Sequence, residues 1–226
     1  KATATGNQQI TGVAFQPQVV ILWTTHGLQT AEGFGAHAGM VFGFAVSSTS
    51  RRVVSTVSED NVTPSDTYRY ASESQVFVIL RQTDGVAIDI ADFVSMDSGG
   101  FTINWSTVSA NATLIHYLCL AGSGLTNVAV GSVTPTAGLG NESFTGVGFQ
   151  PDFLFFLTGA VGSFDTSTAG GEISFGLARS STQRGSSLIT MEDARNPTDT
   201  WRGQGADTCI GALDPASGSA VFAADL

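Results

Sequence analysis

The chain has 226 residues, 27 of them glycine and 15 phenylalanine, and only 12% carry a charged side chain. At 42% hydrophobic it is too apolar for a disordered segment, and with Lys1 as its one lysine it lacks the Ala/Glu/Lys/Leu-rich heptads of a coiled coil. A formal charge of −10 argues against affinity built on phosphate neutralisation, so no nucleic-acid partner is expected.

The elements read as β throughout. In chain order the candidate strands are 8–16, 18–24, 39–47, 52–58, 74–81, 86–94, 100–106 and 112–121. Val86, Ile88 and Ile90 alternate with Ala87, Asp89 and Ala91, as do Phe101, Ile103 and Trp105 with Thr102 and Asn104, which is the period-two pattern of strands with one buried face. Val19 to Trp23, Gln75 to Leu80, Leu114 to Leu120 and Phe153 to Leu157 are apolar on both faces and fit central strands. Asp84-Gly85, Ser98-Gly99-Gly100 and Ser217-Gly218 supply hairpin turns. None of the apolar runs approaches the roughly 20 residues of a bilayer-spanning helix, so no membrane span is expected. Cys119 and Cys209 sit in apolar runs and read as small buried hydrophobes.

A repeat organises these elements. Thr11-Gly12-Val13-Ala14-Phe15-Gln16-Pro17 recurs as Thr145-Gly146-Val147-Gly148-Phe149-Gln150-Pro151, an offset of 134. After a loop that differs by one residue the offset is 133. Phe42-Gly43 then matches Phe175-Gly176, Ser47-Ser48-Thr49 with Arg51 matches Ser180-Ser181-Thr182 with Arg184, and Glu59-Asp60 matches Glu192-Asp193. Asp66-Thr67-Tyr68-Arg69 matches Asp199-Thr200-Trp201-Arg202, and Ala91-Asp92-Phe93 falls on Ala224-Asp225-Leu226. The expected fold is therefore all-β, two tandem β-sandwich (jelly-roll-like) repeats at 1–124 and 125–226, joined near Gly122-Ser123-Gly124, the second incomplete and lacking its last two strands. Such a chain is either part of a longer array, or its last unit is finished by strands from another molecule laid against 208–213 or 219–226.

Gly12 to Pro17, Phe42 to Ala45, Ser47 to Arg51, Glu59-Asp60, Ser65 to Arg69 and Ser98 to Trp105 form a motif order that resembles a tandem-repeat β-sandwich family of bacterial and phage genomes. Its Gly-Phe-Gln-Pro openings are similar to those of phage virion and tail-associated proteins. The resemblance covers both copies, with Ala14 standing where the opening's second glycine belongs. It implies a structural component of a virion or extracellular assembly, such as a capsid-decorating, fibre or tail-associated protein, whose partners are other copies or other assembly proteins.

Two divergent copies in one chain also show which charges recur: Arg51/Arg184, Asp60/Asp193, Asp66/Asp199 and Arg69/Arg202. One reading is a structural charge cluster in which arginine forks tie loops to the sheet rim. Another is a ligand site, with Tyr68 and Trp201 as stacking faces for a surface glycan, as in a carbohydrate-binding adhesin. A third is a calcium site from Glu59, Asp60 and Asp66. No metal-ligand spacing, nucleotide-binding turn or hydrolase elbow occurs, and His26, His37 and His116 have no counterparts in the second copy, so neither catalysis nor a cofactor is expected.

Overall fold

A computed structural model describes residues 3–25, 35–135 and 140–225. The described residues form sixteen β-strands and no helix, so the chain is all-β, and every strand pair is antiparallel. The first half holds β1 (Gly6–Ile10), β2 (Val19–Thr25), β3 (Ala38–Ala45), β4 (Arg51–Ser58), β5 (Thr67–Ser72), β6 (Phe77–Leu80), β7 (Ala87–Asp97), β8 (Gly100–Thr107) and β9 (His116–Leu120). One sheet runs β1-β8-β7-β6 and the other β5-β4-β3-β2-β9. Between them the inward residues of the alternating strands, among them Val20, Leu22, Val41, Val53, Phe93, Phe101, Ile103 and Trp105, pack into the main core. Trp105 enters edge-on to Phe77, and its indole N–H donates to Gln8 Oε1 at 2.7 Å.

The Phe-Gly pair of the repeat has a packing cause. Phe42 points away from this core, whereas Gly43 points into it where the chain ahead of β6 crosses so closely that a Cβ would lie 1.7 Å from the Val76 carbonyl oxygen. Gly176 repeats the arrangement, its Cβ position 1.4 Å from the Cys209 carbonyl oxygen. Glycine is required at both sites by the close approach of two backbones.

The second half holds β10 (Leu154–Thr158), β11 (Thr168–Ala169), β12 (Gly171–Ser180), β13 (Gln183–Met191), β14 (Thr200–Gly205), β15 (Ile210–Leu213) and β16 (Ala220–Ala224). Its sheets run β10-β12-β13-β14 and β15-β16. The pairing follows the sequence offset: Val20 faces Ala45 as Leu154 faces Ala178, and Ala45 faces Arg51 as Ala178 faces Arg184. In the first half β1 is held by β8 alone. Residues 140–146, the counterpart of β1 and its approach, form no strand, because among the described residues no counterpart of β8 is available to pair with them. The halves meet through the outward faces of β3–β5 and of β10 and β12, where Val54, Ala71 and Ile173 are buried among Phe42, Leu157 and Phe175. The repeat-related Phe42 and Phe175 touch edge to face with ring centroids 4.7 Å apart.

Three of the four doubly apolar runs differ from central strands. Val19 to Trp23 lies inside its sheet, but β6, β9 and β10 are each terminal strands. β6 is nonetheless buried on both faces because it is pressed against β3 and β4. On β9 and β10 the apolar side chains Leu118, Leu120 and Phe155 stay exposed. The strand expected at 8–16 is shorter and earlier, and β5 lies in a stretch with no expected strand, because its Thr-Tyr-Arg-Tyr sequence carries the charged motif.

Candidate functional site

The recurring charges do not gather in one place. Arg51 opens β4 beside Ala45, while Asp60 follows the far end of that eight-residue strand, about 25 Å away at the usual strand rise. Arg51 donates from Nε to the Ser74 carbonyl at 2.9 Å, from Nη1 to the Ser48 carbonyl, and from Nη2 to Asp92 Oδ2 at 3.0 Å. The guanidinium therefore ties the β3–β4 turn to the approach to β6 and to β7 of the opposite sheet. Arg184 repeats the first and last of these contacts with the Asp207 carbonyl at 2.7 Å and Asp225 at 3.4 Å. The carboxylate partners, Asp92 and Asp225, were missing from the candidate residues. The signal for them was present, since Ala91-Asp92-Phe93 and Ala224-Asp225-Leu226 occupy matching places in the repeat.

At the other end of the sheets, the Asp-Thr-Tyr-Arg motif forms a joint between the halves. Arg69 is on strand β5, not in a loop, and donates to the carbonyls of Ala160 at 3.1 Å and Gly170 at 3.1 Å. The Thr67 N–H donates to Asp193 Oδ1 at 2.8 Å. Ser65 and the turn at Ala194-Arg195 exchange backbone hydrogen bonds of 2.7 and 2.9 Å. β11 adds a short strand to the outer edge of β5, Thr168 facing Arg69 and Ala169 facing Tyr68. Next to this joint Glu172 on β12 is 97% buried by exposure (3% accessible), its Oε1 has no hydrogen-bond partner, and burial pushes its carboxyl up to about 7 against the pull of Arg69.

The same motif in the second half is not used in this way. Asp199 forms an ion pair with Arg195, N to O 3.5 Å, within its own turn, while Thr200, Trp201 and Arg202 on β14 are exposed. Asp66 and Asp199 keep one common contact, the Glu59 N–H to the Asp66 carbonyl and the Glu192 N–H to the Asp199 carbonyl, each 2.9 Å. Asp60 is exposed, and its N–H donates to His37 Nδ1 at 3.0 Å.

Each aromatic of the motif carries a turn glycine close against its ring: a Cβ on Gly85 would meet Tyr68 at 2.6 Å, and one on Gly218 would meet Trp201 at 2.5 Å. Burial and the nearby acidic groups, Asp66 first among them, push the Tyr68 hydroxyl above its ordinary value. The Trp201 indole donates to the Pro215 carbonyl at 2.9 Å, yet the residue remains 40% exposed. Glu59, Asp60 and Asp66 are not brought together as a metal-ligand group, and among the described residues no three His, Cys, Asp or Glu side chains are so placed. His116 stacks on Trp23, centroids 5.7 Å apart, at the β2–β9 edge, and His26 lies outside the described residues. Cys119 and Cys209 are free thiols. An open groove, mostly of second-half residues, is lined by Phe42, Phe153, Phe155, Phe175 and Leu177 together with Arg179 and Arg184.

No protein-family model, curated protein or solved structure matches the chain. Among the described residues no helix is long and apolar enough to cross a membrane.

Proposed function

We propose that the chain is a structural component of a virion or other extracellular assembly, of the capsid-decorating, fibre or tail-associated kind, acting through protein–protein contacts and not through catalysis. One observation carries the reading. In the first half β2, β5 and β7 each have a further strand on their outer side, namely β9, β11 and β8. Their counterparts β10, β14 and β16 have none among the described residues. Inner-face positions register the difference, since Ala91 is 0% exposed and its counterpart Ala224 is exposed, while Leu22 is buried and its counterpart Phe156 is only partly so. Uncovered edges with apolar faces are templates for pairing with another chain. The motif order resembling phage virion and tail-associated proteins supports the same reading. Sedimentation velocity over a wide concentration range tests it: oligomers that grow with concentration are expected, and a monomer throughout overturns it.

A carbohydrate-binding module is the second reading, favoured by Trp201, which stays 40% exposed on β14. An exposed indole suits stacking on a sugar ring. Glycan-array binding abolished by Trp201→Ala is expected on this reading, and no binding by the parent chain rejects it.

A further inference from the structure

We infer that the chain binds a second copy of itself head to tail, β14 of one copy receiving the Asp60-Asn61 turn of the next, in repetition of the joint that holds its own two halves together. The inference rests on the assembly reading above and names both the surface and its occupant.

The joint has two complementary sides. One is the β5 side, which offers the Thr67 N–H, Ser65 and the Arg69 guanidinium; the other is the second half's Asp193-Ala194 turn, which meets Thr67 and Ser65, with the Ala160 and Gly170 carbonyls that accept from Arg69. Each side exists twice in the sequence, and within one chain each is used once. Thr67 is 0% exposed and Ser65 buried, whereas their counterparts Thr200 and Thr198 are exposed. Arg69 is engaged, whereas Arg202 is exposed and makes no hydrogen bond or ion pair among the described residues. Asp193 accepts from the other half, whereas the Asp60 carboxylate is exposed and accepts nothing among the described residues.

The unused turn already has the shape of the used one. Asn61 and Ala194 both take left-handed backbone, φ 60 and 57, and both turns are closed by the 2.9 Å hydrogen bond from the glutamate N–H described above. Little conformational ordering is then needed on binding, which is the condition that favours association through a modest surface. Charge fits as well, because the exposed side on β14 is cationic at Arg202 and the exposed turn is anionic at Glu59 and Asp60. The occupant is a second copy because this chain itself presents the turn that the β14 side matches. A joint with unlike sides does not close on itself, so copies joined in this way build a ring or a filament.

The test uses the full chain and two single variants, Arg202→Glu to block the β14 side and Asp60→Ala to block the turn. Both positions are exposed, and thermal melts check that both variants remain folded. The parent is expected to grow in mass with concentration, each variant alone to associate at least tenfold more weakly, and the equimolar mixture to form 1:1 dimers and nothing larger, since one good pair of sides remains. If the parent associates but either variant does so equally well, or if the mixture gives no dimer, the inference is overturned while the assembly reading stands. A parent that stays monomeric overturns both.

Discussion

Replacing Gly43 with alanine puts a methyl group 1.7 Å from the Val76 carbonyl oxygen, roughly half an ordinary van der Waals separation. Both atoms belong to backbone, so no side chain can rotate away, and β3 must part from the chain entering β6 by well over 1 Å. Close to Gly43 and Val76 in sequence or strand register, Val41, Val53 and Phe77 are each at most 1% exposed. Opening a gap of that size forfeits roughly half or more of each dispersion contact across it. Added to the ordinary overpacking cost of about 1–3 kcal/mol, this predicts a loss of about 4 kcal/mol for Gly43→Ala, in the range reserved for disrupted cores. Gly176→Ala makes the same backbone clash at 1.4 Å, but its neighbour β15 belongs to a two-stranded sheet that can move outward. A smaller cost, about 2 kcal/mol, is expected there. Gly99→Ala is the control, with nothing within 4 Å and no positive φ, and should change stability by less than about 0.5 kcal/mol. Urea denaturation with the m value fitted separately measures all three. A Gly43→Ala cost near 1 kcal/mol, or one smaller than that of Gly176→Ala, refutes the close-crossing explanation of the Phe-Gly motif.

Three further outcomes follow from the joint and the opening turn. Because the Glu172 carboxyl is raised from 4.5 to about 7, the folded state holds its proton more tightly than the unfolded state. The stabilisation is complete below about pH 4.5 and is lost as pH rises through about 7, so Glu172→Gln should match the parent at pH 4 and exceed it by up to about 3 kcal/mol at pH 8 in urea titrations. Arg69→Ala should cost about 2 kcal/mol by stranding the Ala160 and Gly170 carbonyls, whereas Arg202→Ala in dilute monomer should stay within about 0.5 kcal/mol by the same titration. Ala14 holds φ 67 where its counterpart Gly148 holds φ 84. Ala14→Gly should therefore stabilise by roughly 0.5 kcal/mol in thermal melts, relief of about 1 kcal/mol of left-handed strain being partly offset by glycine's freedom in the unfolded chain.

Much of the fold was legible because apolar residues recur with period two and turn glycines stand between strands. On β7, however, the buried face is Asp89, Ala91 and Phe93, while Val86 is exposed and Ile88 and Ile90 are only partly buried, the reverse of the face the pattern marks as apolar. On β8, Phe101, Ile103 and Trp105 are buried as expected, with Thr102 buried beside them. β5 escaped because the residues it buries, Thr67, Tyr70, Ala71 and Ser72, are spread over both faces and are mostly small or polar, so they carry no hydrophobic pattern. The edge positions of β9 and β10 escaped for the opposite reason, as Leu118 and Phe155 look like core residues when only the sequence is known. The recurring charges were visible one by one, but which carboxylate meets which arginine depends on pairing across sheets, and Asp92 reaches Arg51 only because β7 lies beside the start of β4. What no sequence pattern could show is that identical Asp-Thr-aromatic-Arg motifs have unlike fates, one buried in a joint and one exposed.

Amide hydrogen exchange of the parent chain, read strand by strand at low and at high protein concentration, bears most directly on assembly through the open edges of the second half. Protection should appear on concentrating in β14, and in β10 or β16 where neighbours cover them, while β7 and β8 of the first half exchange equally slowly at both concentrations. Exchange in all three edge strands that stays the same at both concentrations contradicts the account.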